Sequence, residues 1–214
     1  MRKLASALAL GVALALIFEV TGVHAAEVSR GPLGIDHRLA FDNHGIWSHN
    51  LQVGLQTGIV AGAVGVALYE GSESRLGRTA WQSIDSMVLT VAATQAAKIG
   101  FSRTRPSQTD DPGKFFQGSG NRSFPSGEAS NVAAALTPAV LEYGPDHPWI
   151  YPAAALVLAY DMEARMKARA HWQSDVIAGA ALGAGIGYAM HLRERPWVLT
   201  PFGNGIFVGY SKRY

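Results

Sequence analysis

The 214-residue sequence contains no cysteine. Disulfides, thiolate nucleophiles and cysteine-ligated metals are therefore excluded, and stability has to come from packing. Net charge is also scarce: the formal value is +2, falling to +1 if residues 1–25 are removed. So even a balance predicts no nucleic-acid surface. The N-terminus lacks an apolar run long enough to cross a bilayer, because the stretch from Leu4 to Phe18 is shorter than the ~20 residues of a span and Glu19 interrupts it. Met1-Arg2-Lys3, that stretch and Val23-His24-Ala25-Ala26 instead form the pattern of a secretory signal, with cleavage expected after Ala25. Export to a bacterial periplasm is the corresponding expectation.

The length suits one domain. Residues 26–48 are mixed and polar, with a turn signal at Asp42-Asn43-His44-Gly45 and a helix cap at Ser48, and predict an irregular arm. Residues 49–70 and the segment from Trp81 to Gly100 read as buried helices. Helical patterns recur at 126–143, 148–168 and 174–193, where Gly179, Gly183, Gly185 and Gly187 would allow close helix-to-helix contact. An all-α bundle over 49–195 is predicted. Over 196–214, Val198 to Pro201 and Ile206 to Tyr210 flank Phe-Gly-Asn-Gly and predict a small β-hairpin. Residues 51–69 and 176–192 are free of Asp, Glu, Lys and Arg, yet Gln52, Gln56 and many glycines and alanines make them weakly hydrophobic. A soluble bundle, or one in peripheral contact with a membrane, fits better than a polytopic one.

Residues 102–125 break the helical pattern with three prolines, several glycines and four basic residues, forming a loop long enough to suggest function. Around it lie three short elements. Lys98 and Arg105-Pro106 place two cations where a helix meets the loop, although cations favour a helix C-terminus for dipole reasons alone. Ser123-Phe124-Pro125-Ser126-Gly127-Glu128 opens a helix whose first N–H groups suit phosphate, although the same residues make an ordinary cap. Arg165, His171 and Asp175 come third. The four-residue spacing permits a direct His–Asp hydrogen bond, which would fix the imidazole tautomer and leave the other nitrogen as nucleophile.

Taken in order, Lys-x6-Arg-Pro, Pro-Ser-Gly and Arg-x5-His-x3-Asp resemble the type 2 phosphatidic acid phosphatase (PAP2) superfamily, which includes bacterial acid phosphatases and vanadium haloperoxidases; the resemblance covers residues 80–193. It implies a helical phosphatase fold, with Lys98, Arg105, Ser126, Gly127 and Arg165 holding phosphate oxygens. His171 would attack phosphorus, oriented by Asp175, through a phosphohistidine. Such fixed donors stabilise the charge of phosphoryl transfer without a metal, and no cofactor is expected. The family's middle element normally ends in a histidine, the general acid, where this chain has Glu128. Glu128 would replace that acid only if it held a proton.

Three functions fit the pattern. One is an exported hydrolase of a phosphomonoester or pyrophosphate, on a small molecule or a lipid. Another is a phosphate- or phospholipid-binding protein impaired in catalysis, and the third a vanadate-dependent haloperoxidase. His37, His44 and His49, with Asp36 and Asp42, match no metal template. Arg103, Lys114 and Arg122 could extend a positive mouth.

Overall fold

The computed structural model describes residues 31–193 and the backbone of two short strands. The signal expected over 1–25 lies outside the described residues. Among the described residues five α-helices follow one another: α1 (His49–Glu70), α2 (Arg75–Phe101), α3 (Gly127–Tyr143), α4 (Ile150–Lys167) and α5 (Gln173–His191). Serines start the first three, since Ser48, Ser74 and Ser126 accept hydrogen bonds from Leu51 N, Gly77 N and Ala129 N. Strand β1 (Leu199–Phe202) pairs antiparallel with β2 (Gly205–Val208), Leu199 facing Val208.

Helix α3 is central and touches each of the other four. One face joins Val132 to Leu158, Met162 and Val176, and the other joins Ala135 to Trp81, Ile84 and Met87. Glycines bring α5 against α3. A Cβ on Gly183 would lie 1.9 Å from the Ser130 carbonyl oxygen, and one on Gly179 2.5 Å from that of Ser126. Gly187 is similarly close to Thr137, whereas Gly185 faces open space and has no part in the contact. This close approach carries the third sequence element onto the second.

Helix α1 departs from the expected buried helix. Only Gln52 and Ala67 are buried along it, while Leu51, Val53, Val60, Val64 and Leu68 are exposed. The polar residues turn inward because α4 presents buried groups that need partners. Gln52 Nε2 donates to the Asp161 carbonyl at 3.2 Å and Gln56 Nε2 to Asp161 Oδ1 at 3.0 Å. Among the described residues, α1 is the helix long and apolar enough to cross a membrane.

The arm is tied down over the α4–α5 connection. Asp42 N donates to the Lys167 carbonyl, and Arg169 Nε donates to that of Leu39.

Candidate active site

His171 lies in the connection before α5 and is 1 % exposed. Its Nδ1 is 2.7 Å from the Ser123 carbonyl oxygen, so Nδ1–H donates there and Nε2 is the nitrogen that faces Glu128. The direct bond expected to Asp175 is replaced by this one: Asp175 Oδ2 stands 3.8 Å from Nδ1, an ion-pair distance. The four-residue rule holds along one helix, and His171 precedes the start of α5 at Gln173. Asp175 accepts instead from Ser123 Oγ at 2.5 Å, Trp172 N at 2.9 Å and Arg103 Nη1 at 2.5 Å. It therefore acts on the imidazole by charge and through Ser123. Burial pushes the Asp175 carboxyl up, yet His171, Arg103 and Ser123 together hold it below the ordinary carboxylate range.

Glu128 is in the first turn of α3. Its Oε2 is 3.3 Å from His171 Nε2 and its Oε1 3.3 Å from Arg165 Nη2. Burial raises its pKa, but His171, Arg165 and its own backbone N–H outweigh that and hold it far below the usual range. Glu128 is thus an anion with no proton to give a leaving group. Its carboxylate touches His171 Nε2, a guanidinium and a helix N-terminus, groups that would also suit a phosphate.

The other predicted residues gather around it. Ser126 is fully buried, and its N–H donates to the Asp175 carbonyl at 2.9 Å. A Cβ on Gly127 would meet Lys98 Cε at 3.6 Å, which places Lys98 beside the start of α3. Lys98 Nζ donates to the Arg122 carbonyl at 2.9 Å, and burial lowers its pKa while Glu128 partly restores it. Arg105 stands half-buried at the loop's edge, where its charge also acts on Lys98.

Arg165 is held by Glu128 of α3 and by two residues of α1. Its Nη1 meets His49 Nδ1 at 3.0 Å and Gln52 Oε1 at 3.3 Å, and its Nε is buried without a hydrogen-bond partner among the described residues. One turn earlier on α4, burial pushes the Asp161 carboxyl up to about 6, against the pull of Gln56. Its Oδ2 is likewise buried without a partner among the described residues. A buried carboxyl with a raised pKa binds its proton more tightly in the folded state. Its contribution to stability is complete below the unfolded value of 3.8 and is lost as pH rises through about 6. Asp161→Asn should therefore stabilise the protein by up to about 3 kcal/mol at pH 8 and change little at pH 4, as read by urea midpoints. An unchanged midpoint difference across that range would refute it.

Arg103 is not part of a positive mouth. It is fully buried, with Nη2 2.6 Å from Asp36 Oδ2, Nη1 2.7 Å from Ser174 Oγ, and bonds to Asp175 and to the Pro112 carbonyl. Asp36 also accepts from Ser174 N and Oγ. Asp36, Arg103 and Gln52 are structural partners of the site that belong to no motif element, and Ser123, which opens the second element, is another partner. The only sequence signal for Gln52 is a polar residue inside an apolar run.

Comparison with known proteins bears on the family. A lipid A 1-phosphatase of Porphyromonas gingivalis is 31 % identical over 119 residues, which is 56 % of this chain and 24 % of that protein. The chain thus spans about a quarter of its relative's length. The crystal structure of a transmembrane PAP2 type phosphatidylglycerolphosphate phosphatase from Bacillus subtilis aligns over 88 % of this chain and 93 % of its own, at 14 % identity and a TM-score of 0.37, too loosely to bear on the site. The PAP2 superfamily model matches residues 79–209, more than half of the sequence and all three motif elements. With the helical bundle and the motif residues gathered at one point, the chain belongs to the PAP2 superfamily.

Proposed function

We propose that the protein is a phosphatase that cleaves a phosphomonoester or pyrophosphate of a phosphorylated lipid through a phosphohistidine at His171. The observation that carries this reading is the carboxylate of Glu128, bound by His171 Nε2, Arg165 Nη2 and the N-terminus of α3. A phosphate in its place would face His171 Nε2, with Lys98 and Arg165 neutralising its charge. Metal ions are not needed for that neutralisation. The lipid class is suggested by the lipid A 1-phosphatase relative and by the exposed apolar residues of α1, which suit peripheral contact with a membrane. Export, with residues 1–25 as a cleaved signal, 26–48 as an arm, 49–195 as the phosphatase domain and 196–214 as a tail, belongs to the same reading.

The test is release of inorganic phosphate from a lipid phosphomonoester in detergent by the full chain in the presence of a chelator. Phosphate trapped on residue 171 after rapid quench should accompany it. No release and no trapped phosphate would defeat the reading.

A second reading, binding without turnover, is favoured by the ionised Glu128. The carboxylate competes with phosphate for Arg165 and His171, so Glu128→Gln should tighten orthovanadate binding by about tenfold or more, equivalent to ~1.4 kcal/mol. Titration calorimetry on both forms checks this. Weaker binding by the variant would show that Glu128 does not occupy the anion site. Tight binding with no turnover on any substrate would leave the binding reading standing alone.

A further inference from the structure

Cleavage of an ester with a poor leaving group needs a proton at the departing oxygen. Glu128 has none to give, and Asp161 is fully buried, with its Oδ1 held by Gln56. Among the described residues, one titratable side chain outside the three motif elements meets Arg165 beside Glu128. His49, the first residue of α1, is exposed, and its Nδ1 lies 3.0 Å from Arg165 Nη1. Its backbone N–H is fixed by Asn43 Oδ1 at 2.8 Å. Gln52, one turn along, shares the same guanidinium nitrogen at 3.3 Å, so α1 is locked in place against Arg165.

We infer that His49 is the general acid of this site, supplied by α1 in place of the residue that Glu128 displaces from the middle motif. The inference rests on the phosphatase reading. In the unliganded arrangement Nδ1 accepts a hydrogen bond from Arg165, since a guanidinium only donates. A bound phosphate takes over the Arg165 N–H groups, Nδ1 is released, and it takes a proton from solvent beside the phosphate's negative charge. In the transfer step the His171 Nε2 lone pair forms the N–P bond while the P–O bond to the leaving group breaks. The departing oxygen keeps that electron pair and receives the His49 Nδ1 proton. In the second step a water oxygen attacks phosphorus, its proton goes to His49, and the N–P electron pair returns to His171.

The test compares the full-length wild type with His49→Ala and His49→Gln on an alkyl phosphate, phenyl phosphate and 2,4-dinitrophenyl phosphate. Both variants should lose on the order of 10²-fold in kcat/KM on the alkyl ester. They should lose least on the dinitrophenyl ester, whose leaving group departs without a proton, so the leaving-group dependence steepens. A mere support of Arg165 would lower all three substrates by the same factor, and that result overturns the assignment while leaving the phosphatase reading intact. An unchanged rate on the alkyl ester overturns it as well. A wild type that turns over none of the substrates and traps no phosphate removes the phosphatase reading and the assignment together.

Discussion

His171→Gln abolishes turnover, with an expected fall in kcat on the order of 10⁴-fold or more, the scale seen when a nucleophile acting as one unit with its partners is removed. The glutamine amide preserves a donor for the Ser123 carbonyl, which now accepts from Nδ1 at 2.7 Å, and so fills the site without supplying a nitrogen lone pair. The loss should appear equally on activated and alkyl esters, because attack on phosphorus is common to both. That distinguishes it from the graded loss expected at His49. Orthovanadate should still bind the variant, since Arg165, Lys98 and the start of α3 remain. The decisive measurement is single-turnover phosphate release, and activity within tenfold of wild type would exclude His171 as the attacking group.

The second large effect is on stability. Arg103→Met leaves the carboxylates of Asp36 and Asp175 buried with their shared cation gone. Both sides of each pair are fully buried, at 2.6 Å and 2.5 Å. Removing one partner of a buried ion pair costs about 3–5 kcal/mol, because the charge left behind cannot reach water and keeps no opposite charge at hydrogen-bond distance. Against a total stability of roughly 5–15 kcal/mol, the fold would be close to its limit. The guanidinium also packs 4.6 Å from the Phe115 ring, which methionine keeps as an apolar contact. Urea denaturation should show the loss, and Asp36→Asn in the Arg103→Met background should recover part of it. A single-variant cost under about 1 kcal/mol would mean that the network contributes little net stability.

These two residues differ in how visible they are along the chain. His171 is marked by spacing: Arg165, His171 and Asp175 recur in a fixed order that chemistry requires, so their types and intervals identify them. Arg103 is one of four basic residues in a glycine- and proline-containing loop, and nothing in its neighbourhood separates it from an exposed arginine. Its partners lie 67 and 72 positions away, on the arm and on α5. Likewise the apolar stretch of α1 matched its helix from His49 to Glu70, but not which side of that helix would be buried. Composition records how apolar a segment is. Gln52 and Gln56 turned inward because Asp161 and Arg165 on a distant helix needed hydrogen-bond partners.

The sequence by itself determined the family, the helical class and the close approach at Gly179 and Gly183, and it singled out the motif residues that the fold brings together. Each of those depends on local periodicity or on fixed intervals between chemically constrained side chains. Only the tertiary structure decided that Ser123 rather than Asp175 grips the imidazole, that the Glu128 carboxylate meets both Arg165 and His171, and that His49 reaches Arg165. Those relations join residues more than 35 positions apart. Their energies depend on burial and on which charges share the buried space, and no one segment of the chain contains that information.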